Sequence, residues 1–223
     1  MNGFKKTMLA AAFMVLGGGI MANSALAMPT LNYSSTGNAE IAFTGTGNTF
    51  TFNDSTTANA GFDFQVGVVS GGTGAASGLL GNISGVFTIG AITNVAGVES
   101  APVTGAGTLS INDGAGFLLM ANLDWVGIKT DVSSGSLNTS LSVNLSGITY
   151  GGDNADLKPF VAGGLATANF TFIPAKSLTQ LTTDGTTSIT SHSGSVSAVP
   201  EPGTMLLMGS GLLGLGLWRR FKK

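Results

Sequence analysis

The chain has 223 residues, with nine Lys and Arg against eleven Asp and Glu, a single His, no Cys and 35 Gly. With 9% of positions charged and 43% hydrophobic, it is neither a highly charged disordered chain nor a basic nucleic-acid binder. The missing cysteines exclude a disulfide framework, thiolate zinc or iron-sulfur sites and a thiol nucleophile.

Residues 1–27 begin with Lys5 and Lys6, continue through an apolar stretch from Met8 to Ile20, and end on Ala25-Leu26-Ala27. Cations that stay cytosolic, a short apolar run and small residues at alternate positions predict a secretory signal peptide cut after Ala27 by signal peptidase, leaving Met28 first. The run is short for a membrane span, and three consecutive glycines weaken it as a helix.

Between Met28 and Pro202, 83 of 175 residues are Gly, Thr, Ser or Asn, a composition that favours strands and turns. This region holds all eleven acidic residues but only Lys129, Lys158 and Lys176, a formal charge of −8 that disfavours nucleic acid and anionic lipid as partners. The predicted strands follow in chain order: Ala39 to Phe43, the pair Phe50 and Phe52, and the run Phe62, Phe64, Val66 and Val68. In that run Asp63, Gln65 and Gly67 fall on the opposite face. Next come Gly85 to Ile92, Thr108 to Ile111, Phe117 to Leu123, and Leu137, Leu141, Val143 and Leu145 with Ser140, Ser142 and Asn144 opposite. Ala168, Phe170 and Phe172 repeat the alternation before a last run at Thr187 to Thr190.

Turn signals separate the runs at Asn53-Asp54-Ser55, Gly71 to Gly74, Asn112-Asp113-Gly114, Gly151 to Asn154 and Asp184-Gly185. Many short strands with such punctuation predict a mainly β fold, an antiparallel sandwich or jelly roll over residues 28–190. About 175 residues bury around 70% of their unfolded surface, enough for a core without disulfides. A parallel β-solenoid shares the composition, but no fixed period supports it.

Residues 191–199, rich in Ser and small side chains, read as a strand fraying into a flexible linker. Val199-Pro200-Glu201-Pro202-Gly203 then breaks regular structure, Thr204 to Trp218 is free of charge, and Arg219-Arg220-Phe221-Lys222-Lys223 closes the chain. Fifteen helical residues span about 22 Å against a hydrocarbon core of about 30 Å, so 204–218 predicts a short transmembrane helix extended by Trp218 and snorkelling Arg219. By the positive-inside rule, Arg219, Arg220, Lys222 and Lys223 form a membrane stop on the cytoplasmic side, shared with Lys5 and Lys6, and the region between is exported.

Pro200-Glu201-Pro202, the Gly- and Leu-rich segment and the basic tail, in that order, resemble the PEP-CTERM sorting signal of bacterial surface proteins over 200–223. The resemblance implies that an exosortase-type membrane enzyme recognises the Pro-Glu-Pro segment and removes the tail, in bacteria that commonly secrete polysaccharide. It also implies a cell-surface or extracellular destination after transient anchoring in the inner membrane.

Chemistry is sparse in the rest of the chain. His192, between Ser191 and Ser193, lacks the rigid support that a Ser-His-Asp triad requires, and no Gly-x-Ser-x-Gly elbow occurs. Gly209 to Gly214 spells a dinucleotide fingerprint inside an apolar segment, where no phosphate can be cradled; Ser210 and Gly214 instead have the spacing for helix contact. Asp153, Asn154 and Asp156 gather oxygen atoms that a calcium ion could use, and Asp124 and Asp131 flank a predicted strand and turn, though Asx-rich loops usually satisfy their own turns. Trp125 and Tyr150 offer rings for sugar stacking but sit beside apolar residues that favour core packing. The expected protein is an exported, non-catalytic surface or matrix component without cofactor or metal. A lectin-like module for secreted polysaccharide is the alternative.

Overall fold

The computed structural model describes residues 28–131, 138–173, 176–183, 185 and 187–199; the expected signal helix and transmembrane helix lie outside them. Thirteen strands follow in order: β1 (Thr30–Ser35), β2 (Glu40–Thr44), β3 (Thr49–Asn53), β4 (Phe64–Ser70), β5 (Leu80–Gly85), β6 (Phe87–Ile89) and β7 (Thr93–Val95). They continue with β8 (Val98–Thr104), β9 (Gly107–Asn112), β10 (Leu118–Asp131), β11 (Asn138–Thr149), β12 (Ala166–Ile173) and β13 (Thr187–Ala198). Two short helices, α1 (Lys158–Gly163) and α2 (Leu178–Leu181), flank β12.

All pairings are antiparallel and join the strands into one sheet. Strand neighbours run β1-β4-β5-β9-β10-β11-β12-β13, and β13 pairs back to β1, so eight strands close a ring. Closure removes the open edges along which such a sheet would otherwise pair with other chains. β2, β3, β6 and β8 form a second path from the start of β13 to the end of β10, and β7 hangs on β8. The mainly β, antiparallel expectation holds, and the long strands β10 to β13 carry both paths instead of belonging to separate sheets.

Alternation puts one face of the strands inside, except in β7, which is exposed throughout. Phe43, Phe50, Phe64, Phe87, Phe170 and Phe172 are fully buried and form a continuous aromatic network with Trp125, Tyr33 and Phe52. Trp125 stacks on Phe170 with ring centroids 5.0 Å apart and an interplanar angle of 19°. Fully burying a Phe contributes about 2–3 kcal/mol by area, and each well-placed ring pair adds about 1 kcal/mol.

Two glycines make room for this core. Gly81 pairs with Phe64 and Gly194 with Tyr33, and a side chain on either glycine would run into the ring opposite. The space at Gly194 lets the Tyr33 hydroxyl donate to the Asn169 carbonyl at 2.8 Å. The four-residue α2 is held at its N-terminus by a reciprocal capping box between Ser177 and Gln180, with Glu99 accepting from Thr179 N and Oγ1, each at 2.9 Å.

The run at 62–68 departs from its expected register. A bulge between Leu31 and Tyr33 sets Val66 opposite Tyr33 and Val69 opposite Leu31, so Val68 turns outward and is 68% exposed. Asp63, expected on the outer face, is fully buried because it precedes the strand and its carboxylate accepts from the Ile83 backbone N–H.

Candidate sorting site

The residues expected as linker, 191–199, are instead the second half of a central strand up to Ala198. β13 pairs with β12 from Ser191 to Ala198 and with β1 from Ser193 to Ser197, so its backbone is hydrogen-bonded on both sides. His192, Val196 and Ala198 point inward, while Ser193, Ser195 and Ser197 are only partly exposed on the outer face. The small polar residues that suggest a linker are the outer half of an alternating strand, and Gly194 serves Tyr33. The folded domain therefore extends beyond 190, and a loose approach to the motif is absent up to Ala198.

Past β13, Val199 N donates to the Leu165 carbonyl at 3.0 Å, closing the turn that follows α1. A side chain at Gly163 would meet the Val199 carbonyl and, at 3.6 Å, the Met28 side chain, so both ends of the described chain meet beside α1. The pairing of Thr30 with Ser197 has the same consequence: the segment after the expected signal cleavage and the segment entering Pro200 leave one end of the ring together. The sorting residues Pro200, Glu201 and Pro202, the membrane stop Arg219, Arg220, Lys222 and Lys223, and the cleavage residues Ala25 and Ala27 lie outside the described residues, as do Ser210 and Gly214. Among the described residues, no helix is long and apolar enough to cross a membrane.

The other candidates divide by burial. His192 is 2% exposed and packs against the rings of Phe52 and Tyr33 at 5.2 and 6.3 Å; neither imidazole nitrogen has a hydrogen-bond partner, and burial pushes its pKa down to about 4. Trp125 is 8% exposed within the aromatic network and offers no face to a sugar. Tyr150, half-buried, donates its hydroxyl to Asp113 at 2.8 Å and accepts from Asn154 N at 2.9 Å.

The three residues of the 153–156 loop do not converge. Asp156 is buried and accepts from Thr73 N at 2.6 Å, Thr73 Oγ1 at 2.9 Å and Ala76 N at 3.0 Å; burial alone would raise its pKa, but these bonds hold it below the usual carboxylate range. Asp153 instead pairs with Lys158 at 2.6 Å, and Asn154 Oδ1 accepts from Asp156 N. Asp124 is exposed and accepts from Ser146 at 3.0 Å; the side chain of Asp131 lies outside the described residues. Among the described residues, no three His, Asp or Glu side chains gather as a metal-binding group. A shallow groove of about 230 Å³ between β7, β8 and β10 is lined by Ala91, Thr93, Ser100, Ala101, Pro102 and Val126, none of them titratable.

Asp63 is a further buried titratable group, one that no motif in the sequence announces. Burial raises its pKa to about 7; the Ile83 N–H bond opposes this rise, and the Asp54 carboxyl adds to it. Unfolded, its pKa is near 4, so stability falls as pH rises from about 4 to 7. His192 acts oppositely: its folded pKa lies below the ordinary value of 6.5, so stability falls as pH drops from about 6.5 to 4. Each slope reaches up to about 1.4 kcal/mol per pH unit, and the two offset one another in their shared window. His192→Phe is expected to gain stability on acidification from pH 7 to 4, whereas Asp63→Asn is expected to lose it. Urea midpoints at pH 7, 5.5 and 4 that move in the same direction for both variants would refute this pairing.

Residues 198–220 match the family model of the PEP-CTERM protein-sorting motif. The chain carries a PEP-CTERM sorting motif. The matched stretch starts at the last residue of β13, so the PEP-CTERM segment joins the fold without an intervening spacer. A PEP-CTERM motif implies export, transient anchoring at the C-terminus and processing by an exosortase-type enzyme. No curated protein and no solved structure matches the chain.

Proposed function

We propose that this chain is a non-catalytic bacterial cell-surface or extracellular-matrix protein. It is exported through a signal peptide, held in the inner membrane by residues 204–218 with its basic tail cytoplasmic, and handed over when an exosortase-type enzyme acts at Pro200-Glu201-Pro202. The observation that carries this reading is the sorting motif beginning where β13 ends. The lack of catalysis is supported by a histidine sealed among rings and by carboxylates committed to backbone N–H groups and neighbouring side chains. Replacing Pro200, Glu201 and Pro202 by alanine is expected to leave essentially all of the protein as an unprocessed membrane form in cell fractions. Normal release of that variant would refute the sorting role. Removing residues 219–223 is expected to weaken membrane retention, since no cation then stops the apolar segment.

A lectin-like reading is favoured by one surface. Across β1, β13 and β12, the outward residues stand in register as Thr30-Ser197-Thr167, Asn32-Ser195-Asn169 and Ser34-Ser193-Thr171. This patch of hydroxyls and amides carries no charge, as a neutral polysaccharide would require. Pull-down of secreted polysaccharide that is lost in Asn32→Ala/Asn169→Ala would support it, and unchanged binding in that variant would remove this face from consideration. Trp125→Ala is not a suitable test, because the ring is in the core.

A further inference from the structure

One end of the ring combines three features. The first is that the first and last described residues lie together there, fixed by the Thr30 and Ser197 pairing and by the Val199 to Leu165 hydrogen bond. The second is a set of outward apolar side chains: Phe117 at 49% exposure, Leu118 at 47%, Val161 at 37%, Leu165 at 55% and Val199 at 37%. The third is continuity between them. Asp113 in the turn before β10 accepts from Tyr150, Tyr150 accepts from Asn154 N, and the Asn154 carbonyl accepts from Lys158 N at the start of α1.

We propose that this end, with α1 and the β9–β10 turn at its surface, rests on the bilayer while the chain is tethered, its apolar residues entering the boundary between headgroups and acyl chains. The proposal rests on the membrane-anchored reading of 204–218. Four residues separate Val199 from Thr204, and the five backbone steps between them reach at most about 18 Å, so the end that carries Val199 is held beside the membrane whatever path the chain takes. A tether this short gives an effective concentration in the millimolar range, so a few aliphatic and aromatic side chains with weak lipid affinity of their own stay engaged. The charges here are few: Lys158 is paired with Asp153, Asp156 is buried, and Asp113 is occupied by Tyr150 and backbone N–H groups. That balance fits zwitterionic lipid better than an anionic surface. The opposite end, with the β7–β8 turn at Val95 and the start of β13 at Ile189, has no tether.

The absence of cysteine allows single labels on the full chain. Leu165→Cys, Val95→Cys and Leu212→Cys variants, each carrying a fluorophore, would be reconstituted in phosphatidylcholine vesicles with a nitroxide quencher at the lipid headgroup. Quenching at position 165 at least threefold greater than at 95, with position 212 also protected from aqueous iodide, is expected. Protection at 212 with equal quenching at 165 and 95 would overturn the proposal while leaving the anchor intact. An unprotected label at 212 would overturn the anchor and the proposal with it. Protection at 212 with no quenching at 165, together with photo-crosslinking from 165 to a protein in cells, would assign this end to a sorting enzyme and also overturn it.

Discussion

Replacing Phe170 by alanine is expected to lower the stability of the domain by about 4 kcal/mol, the cost of a large core cavity in a site that cannot collapse. Phe170 is fully buried, stacks on Trp125 at 5.0 Å and touches Phe52 and Tyr33 at 5.5 and 5.8 Å, so its loss opens the centre of the aromatic network. At this size each kcal/mol shifts the melting temperature by about 2–4 °C, giving a drop of roughly 8–16 °C. Ile189→Ala is the comparison: that side chain is 50% exposed near the start of β13, and its truncation is expected to cost below about 1 kcal/mol. Equal losses for the two variants would place Phe170 outside the core.

The second large effect is expected at Asp156. Alanine there leaves Thr73 N and Ala76 N without their acceptor and removes the bond to Thr73 Oγ1, a loss of about 3 kcal/mol since buried N–H groups left unpaired cost about 1–3 kcal/mol each. The loop from Gly71 to Leu79 would loosen first, and amide hydrogen exchange at Thr73 and Ala76 is expected to accelerate more than at Phe170. Asparagine keeps one acceptor oxygen and is expected to cost less than alanine. If asparagine and alanine proved equally mild, the carboxylate would not be the tie between that loop and α1.

Most strands were legible because burial on one face leaves a period of two in the sequence. Phe50 with Phe52, and Ala168 with Phe170 and Phe172, show that period with large side chains, and they fall on β3 and β12 with the expected faces inward. β1, β5 and β8 leave no clear period of two, for the same physical reason in reverse. Their inward positions alternate apolar groups with Gly81, with Tyr33 or with the buried Glu99, so the hydrophobic signal is diluted. Only the first half of β13 is legible in the sequence, for a related cause: Gly194 contributes space instead of surface, and His192 is buried although its type is usually polar. At 153–156 the sequence shows oxygens close together but not which partner each one takes. That depends on the 73–76 loop, about eighty positions away.

The sorting reading depends on contiguous residues, since an enzyme that recognises an extended proline-flanked glutamate ahead of an apolar run reads local covalent order. Residues 198–220 therefore declared their role without any fold. Where that segment is presented is a different kind of fact. β13 has β1 and β12 as neighbours only because the ring closes through pairings between residues as far apart as Thr30 and Ser197. The composition of 191–198, equally suited to a loose linker and to the outer half of a strand, carries no information about that closure. Long-range backbone pairing decided it, tying Ala198, after which the sorting segment follows, to the end of the domain where the described residues also begin.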